Sequence, residues 1–497
     1  MSLKQRMISG GMQVGLSQLI SMGLSFGRNI VIGRILSIED MGIASTIALA
    51  LQVIESASDI NVNQLMIQSK DGDDPQLQAN AHTYTLLRGV ITAAVLLLLG
   101  GPLARLFGVP DAAWAFQLMA LAPLIRGVWH QDLWRYHRAM RFGPLVRVEI
   151  LSQVLALLAS WPLAIWLNNY SVMLWVILIQ ASVVAILSHI ANERPYRLGL
   201  DRTNGISILK FGWPLLINGV LMMLLNYGDR FVIAAFPTYT MTDVGLYMIA
   251  SSVTFMPIML LTKLGTTIIL PVLAREQDDA ERFNNRFRMI TRIVGFVAIA
   301  QTVLLIIAGP AAVTLCFGEK YLPVAAFFGW MAAGTGVRVL KLAPTLGALA
   351  YGDSLNTLLT TVARCTGFGI AIAAASMGAD LSWLAIAGLL GEIISLVVSM
   401  LSLAYRRSVF DLTLVTWTVL LLLAIAISMG IFQMIGGAEA GWMVVPVTVV
   451  AAGVMASIAA VTFFDPNSPV VIKARERLTP FFSRFQRNLI HQDVEKS

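Results

Sequence analysis

The sequence predicts an all-α integral membrane protein of about fourteen transmembrane helices, built as two pseudo-symmetric six-helix lobes plus two C-terminal helices. Three observations carry that expectation. Of 497 residues, 57% are apolar and only 13% charged, and the mean hydropathy is +0.75, which excludes a soluble globular class. The apolar runs are continuous over helix lengths instead of alternating every second residue, which favours helices over a barrel. A polar pattern in the first run returns in the seventh, 201 positions on.

Crossing a hydrocarbon core of roughly 30 Å takes about 20 residues. Breaks at charged or Gly/Pro/Asn-containing connections give spans 9–36, 42–67, 82–107, 112–134, 145–167, 172–192, 209–236, 244–272, 288–316, 322–350, 355–378, 381–404, 411–435 and 441–464. The expected units are 1–200 for the first lobe, 201–405 for the second, 406–464 for the added pair, and 465–497 for a tail. Even parity puts both termini on one side, taken as the cytoplasm. With that choice 24 of the 35 Lys and Arg fall in inner segments and only Arg34, Arg105 and Lys320 at the outer surface. The net charge of +7 therefore reads as topology, with no nucleic-acid partner. Lys4 and Arg6 precede an apolar stretch without a small-x-small cleavage site, so an uncleaved helix is expected there and no signal peptide.

The first segment holds an isolated cation, Arg28. On a helix Gln13, Ser17, Ser21, Ser25 and Arg28 share one face. An intramembrane charge costs roughly 2.5–3.5 kcal/mol on insertion scales, so it faces a hydrated cavity or a partner. Small hydroxyl residues also pack helices together, so a seam between helices is the alternative for the serines. The seventh segment repeats the pattern: Leu225-Asn226-Tyr227-Gly228-Asp229-Arg230 lies over Leu24-Ser25-Phe26-Gly27-Arg28-Asn29, Ser17 meets Asn218, and Arg28 meets Asp229. An Asp-x-Gly follows each, at Asp40-Met41-Gly42 and Asp243-Val244-Gly245. Arg28 with Asp229 across the halves is the ion pair this repeat suggests.

Further along, eight cations sit at apolar depth: Arg28, Arg88, Arg126, Arg230, Lys263, Arg338, Lys341 and Arg364. Six acids accompany them: Glu55, Asp59, Asp132, Glu149, Asp229 and Glu392. Arg88, Asp132 and Glu149 are expected to reach the interface. Arg338 and Lys341 are three apart and share a face. Together with Arg28, Arg126, Lys263 and Arg364 they form the candidate cation set for a phosphate-bearing cargo, because guanidinium groups suit bidentate phosphate binding and lysine supplies a point charge. Ser17, Ser21, Ser25, Asn218, Asn226 and Asp229 are the candidate polar lining. Glu55 and Asp59 form an acidic stripe with Gln52 and Asn63, fit either for ion coupling or for neutralising nearby arginines.

Outer connections are short, which disfavours a glycan polymerase or ligase with an external catalytic loop. No phosphate-binding glycine loop precedes a Lys-Ser/Thr, and His82, His130, His137, His189 and His491 lack metal spacing. Neither do Cys316 and Cys365 build a framework. No enzyme activity, cofactor or metal is expected. In the tail Leu478, Phe481, Phe482, Phe485 and Leu489 alternate with Arg475, Arg477, Arg484 and Arg487, the pattern of a basic amphipathic helix on an anionic leaflet.

The chain resembles the polysaccharide transporter, or oligosaccharide flippase, family of the multidrug/oligosaccharidyl-lipid/polysaccharide superfamily. The resemblance rests on Gly27-Arg28 through Gly42, Phe211-Gly212-Trp213-Pro214, Asn226-Tyr227-Gly228-Asp229, Asp243-Val244-Gly245-Leu246-Tyr247 and Phe317-Gly318-Glu319-Lys320-Tyr321. It implies a V-shaped pair of lobes working by alternating access around a cationic cavity, with Arg28 matching a first-helix cation. The implied cargo is an isoprenoid-pyrophosphate-linked oligosaccharide, moved across a bacterial inner membrane for surface polysaccharide or exopolysaccharide assembly. Glycan polymerase or export machinery are the implied partners. Gly10-Gly11, Gly212, Pro214, Pro257 and Pro271 are the positions expected to let helices bend. A drug or small-metabolite exporter of the same superfamily is the alternative, and a membrane scaffold of a glycan-synthesis complex the second.

Overall fold

The chain opens on α1 (Leu3–Ile35), which runs unbroken through the Gly10-Gly11 pair. The Ser37 hydroxyl accepts from the Asp40 amide and so starts α2 (Ile38–Ser58), satisfying a donor that a helix beginning leaves open. α2 stops at Asp59, and Asn61 takes a left-handed φ of 50° before the short α3 (Val62–Gln68). The second apolar run is thus interrupted at its acidic residues. α4 (Pro75–Leu106) is capped by Asp74 with proline at its first position. The fourth run is broken as well. A 3₁₀ turn at Pro110–Ala112 leads to α5 (Ala113–Leu118), α6 (Leu121–Gly127) and α7 (Asp132–Arg138), with a 54° bend between the Pro110–Gly127 stretch and α7. α8 (Gly143–Leu167) and α9 (Ser171–Ile190) complete the first half.

The second half begins with α10 (Arg202–Ala235), capped by Asp201 and continuous through Gly212 and Pro214. A reciprocal capping box between Thr240 and Asp243 opens α11 (Met241–Leu264). A π-helical stretch, Gly265–Ile269, carries it into α12 (Leu270–Ala274), where Pro271 sits. Then come α13 (Ala280–Phe317), a 3₁₀ turn at Glu319–Val324, α14 (Ala325–Leu340) and α15 (Leu342–Ala350), the last two meeting at Lys341. α16 (Ser354–Ser376), α17 (Leu381–Arg407) and α18 (Leu412–Met434) follow.

This computed structural model describes residues 3–407 and 412–436, all-helical with no strand among them. Ten of its helices are long and apolar enough to cross a membrane, or eleven with the bent pair counted as one span. α1 and α10, at 33 and 34 residues, also have the length to cross. The first thirteen spans read from the sequence each coincide with one helix or a broken set. The fourteenth, 441–464, and the tail, 465–497, lie outside the described residues.

Within the first half α1 packs along α8, α8 on α9, and α4 on α5 and α6. Within the second, α16 packs on α17, and α14 on α13 and α17. α18 lies against α13 and α14. The halves meet chiefly where α2 packs on α11 and α10. At the turns joining α1 to α2 and α10 to α11 they are backbone to backbone. A Cβ on Gly42 would lie 1.9 Å from Met241 O, and one on Gly245 2.3 Å from Ile38 O. Next to this contact Arg34 donates to the Cys316 and Leu315 carbonyls (2.9 and 2.6 Å). Lys320 Nζ donates to Arg34 O (3.0 Å) and Leu36 O, and Tyr321 Oη to Gly33 O (3.2 Å). That end of the bundle is sealed.

Two features fasten the halves elsewhere. The connector 191–201 is held on the first half: Glu193 N donates to Asp132, Gly199 N to Ala79 O and Thr83, and Asp201 N to Asn80. Beyond it α10 lies on the first half along glycines spaced seven apart. A Cβ on Gly205 would meet Tyr84 Oη at 2.3 Å, one on Gly212 Ile60 O at 2.6 Å, and one on Gly219 Ser56 O at 3.1 Å. Small residues allow such close helix approach in a bilayer.

Candidate functional site

Intramembrane charges gather in two places, one in each half. In the second half they converge on Glu392 of α17, which is 6% exposed. Arg364 Nε from α16 and Lys341 Nζ each lie 2.6 Å from its carboxylate, and Arg338 Nε from α14 lies 3.9 Å away. Lys341 also donates to Ser395 (2.9 Å) and Arg338 to Asn226 of α10 (3.3 Å). The i,i+3 spacing of Arg338 and Lys341 brings both toward one acid, and the break between α14 and α15 falls at Lys341. Three cations on one carboxylate leave two positive charges in excess. Arg338 Nη1 is buried without a partner among the described residues. A cavity of about 90 Å³ opens on Arg338, Arg364 and Glu392, walled by Phe255, Asp229 and Tyr247. The Arg338 guanidinium stands 5.4 Å from the Phe255 ring centre, and Arg230 5.3 Å from the same ring.

In the first half the charges cancel. Glu55 pairs with Arg126, and Asp59 with Arg88 at 3.1 Å. Arg88 also donates to Glu55 O (3.0 Å). Both acids sit where α2 ends, and Arg126 sits at the end of α6. Interrupted backbone at membrane depth is tolerated where it lines a polar cavity, and one of about 230 Å³ lies here. Arg28 stands apart: it donates to Gln180 of α9 (2.8 Å) and to Ser25 (3.2 Å), with no carboxylate partner among the described residues.

Set against the sequence expectations, Arg338, Lys341, Arg364 and Asn226 come together, while Arg126 belongs to the balanced pairs of the other half. Lys263 is exposed near the end of α11 and joins neither cluster. Ser17 and Ser21 are buried, at 2% and 6% exposure, on a helix packed along α8, and Ser25 reaches Arg28. Asn218 lies outside the described side chains. Arg28 and Asp229 do not pair: Asp229 accepts from Tyr247 Oη at 2.8 Å. Glu55 and Asp59 are each paired with an arginine.

Of the residues expected at the interface, two are held by partners within the protein. Arg88 is bound in the first-half cluster. Asp132, 0% exposed, is held by Arg135 (2.5 Å) and the Glu193 amide (2.9 Å).

Glu392, named in the sequence only as one of six intramembrane acids, and Tyr247 take on their roles only once α10, α11, α14, α16 and α17 are assembled. Three of the five histidines, His82, His130 and His189, surround Tyr196, with ring centres 4.2–5.8 Å from it. Among the described residues no group could hold a metal.

A family model described as "Polysaccharide biosynthesis protein" matches residues 31–326. The chain is 23% identical over 374 residues to the lipopolysaccharide biosynthesis protein WzxC of Escherichia coli (strain K12), covering 73% of this chain and 72% of that one. It is 20% identical over 286 residues to the teichuronic acid biosynthesis protein TuaB of Bacillus subtilis (strain 168), covering 57% and 58%. In fold it resembles the lipid II flippase MurJ in an inward closed conformation, with a TM-score of 0.66 and 13% identity over 91% of this chain and 99% of that one. An inward-facing multidrug resistance MATE family transporter of the MOP superfamily aligns with a TM-score of 0.63 and 13% identity over 78% and 94%.

Proposed function

Because the chain belongs to the polysaccharide biosynthesis protein family, we propose that it is a flippase for a lipid-linked oligosaccharide. The cargo's diphosphate rests on the cation cluster of the second half. The observation that carries this reading is the charge excess around Glu392: two uncompensated cations beside a cavity. Buried charges without counter-ions are costly, so a site that keeps them awaits an anion. A diphosphate diester supplies two negative charges and several acceptor oxygens for guanidinium forks. Arg28, which has amide and hydroxyl partners only, faces the same cargo from the first half.

Alternating access is the mechanism of this reading. The halves, 1–200 and 201–405, rock about the contact of α2 with α10 and α11, and the seal at Gly42 and Gly245 closes the outer face. In this state the cytoplasmic leaflet supplies the cargo. Both termini are cytoplasmic in this reading, and the membrane is a bacterial inner membrane. Glu55 and Asp59, each committed to an arginine, hold the first half together.

The test is export of surface glycan in cells lacking the native protein and supplied with Arg364→Ala or Lys341→Ala, with membrane abundance followed alongside. Lipid-linked oligosaccharide accumulating on the inner leaflet at normal abundance supports the reading. Unchanged export by both variants overturns it.

A further inference from the structure

The first-half cavity has a chemistry that a diphosphate does not need. It is the roomier of the two, about 230 Å³ against about 90 Å³. Its charges are balanced as Glu55 with Arg126 and Asp59 with Arg88, so it offers an anion no net attraction and sets two carboxylates against it. Two half-buried indoles, Trp129 and Trp134, stand on its wall. Trp129 is fixed in place by its Nε1 donating to Ala181 O (3.2 Å). Gln131, between them in sequence and 2% exposed, gives its Nε2 to Trp129 O (3.2 Å) and leaves its Oε1 buried without a partner among the described residues. Arg126 Nε is likewise unpartnered. Both residues line the cavity, and each holds one buried polar atom whose hydrogen bond is unmade among the described residues.

We propose that this cavity is a saccharide subsite, which takes one sugar unit of the cargo while the diphosphate lies on the second-half cations. A pyranose has an apolar C–H face, which suits an indole surface, and a rim of hydroxyls that donate and accept. Glu55 and Asp59 keep carboxylate oxygens for hydroxyl donors, Arg126 Nε supplies a donor, and Gln131 Oε1 accepts a hydrogen bond from a hydroxyl. The ion pairs serve this purpose because neutralised carboxylates still accept hydrogen bonds without drawing in inorganic anions. The inference rests on the flippase reading and extends it: the two halves divide the cargo between them, sugar on one and diphosphate on the other.

The experiment uses the full chain in lipid nanodiscs, titrated with two probes. One is a bare polyprenyl diphosphate, and the other is the same lipid carrying a trisaccharide of the cell's own surface glycan. The wild type is expected to bind the glycosylated lipid at least tenfold more tightly. Trp134→Ala and Gln131→Met should keep the wild-type affinity for the bare lipid and lose fivefold or more of the preference for the glycosylated one. Gln131→Met keeps the size of the side chain, which guards against a variant that fails to fold. Arg364→Ala should weaken both probes alike. Equal binding of the two probes by wild type, or full preference retained by both cavity variants, overturns the subsite and leaves the flippase reading standing. No binding of either probe by the wild type sinks both.

Discussion

Gly42 and Gly245, the glycines of the repeated Asp-x-Gly, lie on one another. A Cβ built on either would stand 3.2 Å from the amide nitrogen of the other. The closest atoms are backbone, which cannot swing aside, so a side chain here must part α2 from α11. Gly42→Val and Gly245→Val are each predicted to open the sealed end. In a background without Cys316 and Cys365, a thiol placed at Ser25 should be labelled several-fold faster from that side, and glycan export should fall at least tenfold. Wild-type labelling rates in both variants would show that the seal lies elsewhere.

Lys320 spans the halves at the same end, with its ammonium on the Arg34 and Leu36 carbonyls. Lys320→Met keeps the apolar stem and removes the donors. The expected outcome is the same direction of change in Ser25 labelling, smaller than for the glycine variants, with thermal stability within a few degrees of wild type.

Removing the acid from the second-half cluster should hurt more than removing a cation. Glu392→Ala leaves three buried cations facing one another, and breaking a buried ion pair costs about 3–5 kcal/mol. Thermal unfolding in detergent should show a clear loss for Glu392→Ala, a lesser one for Lys341→Ala, and partial recovery in the double variant. Additive losses in the double variant would mean that the two residues do not share an energy.

Glu55 and Arg126 make a separate, balanced pair. A double-mutant cycle with Glu55→Gln and Arg126→Gln should give a coupling of about 1–3 kcal/mol, with the double variant more abundant in membranes than either single one. A cycle that closes without coupling would return Glu55 to the set of candidates for ion coupling.

The connector is held by Glu193 as well as Asp132. Hydrogen bonds from Arg135 and then Arg141 lower the Glu193 carboxyl below its ordinary value of 4.5. The folded value is the depressed one, so its hold is complete above that ordinary value and fades only as the pH falls through the lowered one. Limited proteolysis of residues 191–201 should therefore stay slow at pH 5 and speed up only as the pH falls below the ordinary value of 4.5. Asp132→Asn should make the segment susceptible already at pH 7.

Much of the fold was legible because hydropathy and charge report directly on a bilayer. Thirteen described runs became helices, and the repeated Asp-x-Gly marked the two turns that touch, whereas the repeated polar stripes do not meet. What was not legible is tertiary. Ser17 and Ser21 obey the same helical spacing as Ser25, yet only packing on α8 decides that they are buried. Arg338 and Lys341 announce a shared face at i,i+3, but nothing local says that Arg364 and Glu392 arrive from two other helices to meet them. Nothing local tells that Arg88 is bound by the end of α2, because the break between α2 and α3 that puts Asp59 and Ser58 beside it leaves no mark in composition.

The three glycines along α10, facing Tyr84, Ile60 and Ser56, have a mechanical meaning. Interdigitated side chains lock two helices in register, since each step of travel must lift one knob out of its hole. Gly205, Gly212 and Gly219 offer no knobs, so this stretch of α10 rides on the first half as a journal rides in a plain bearing.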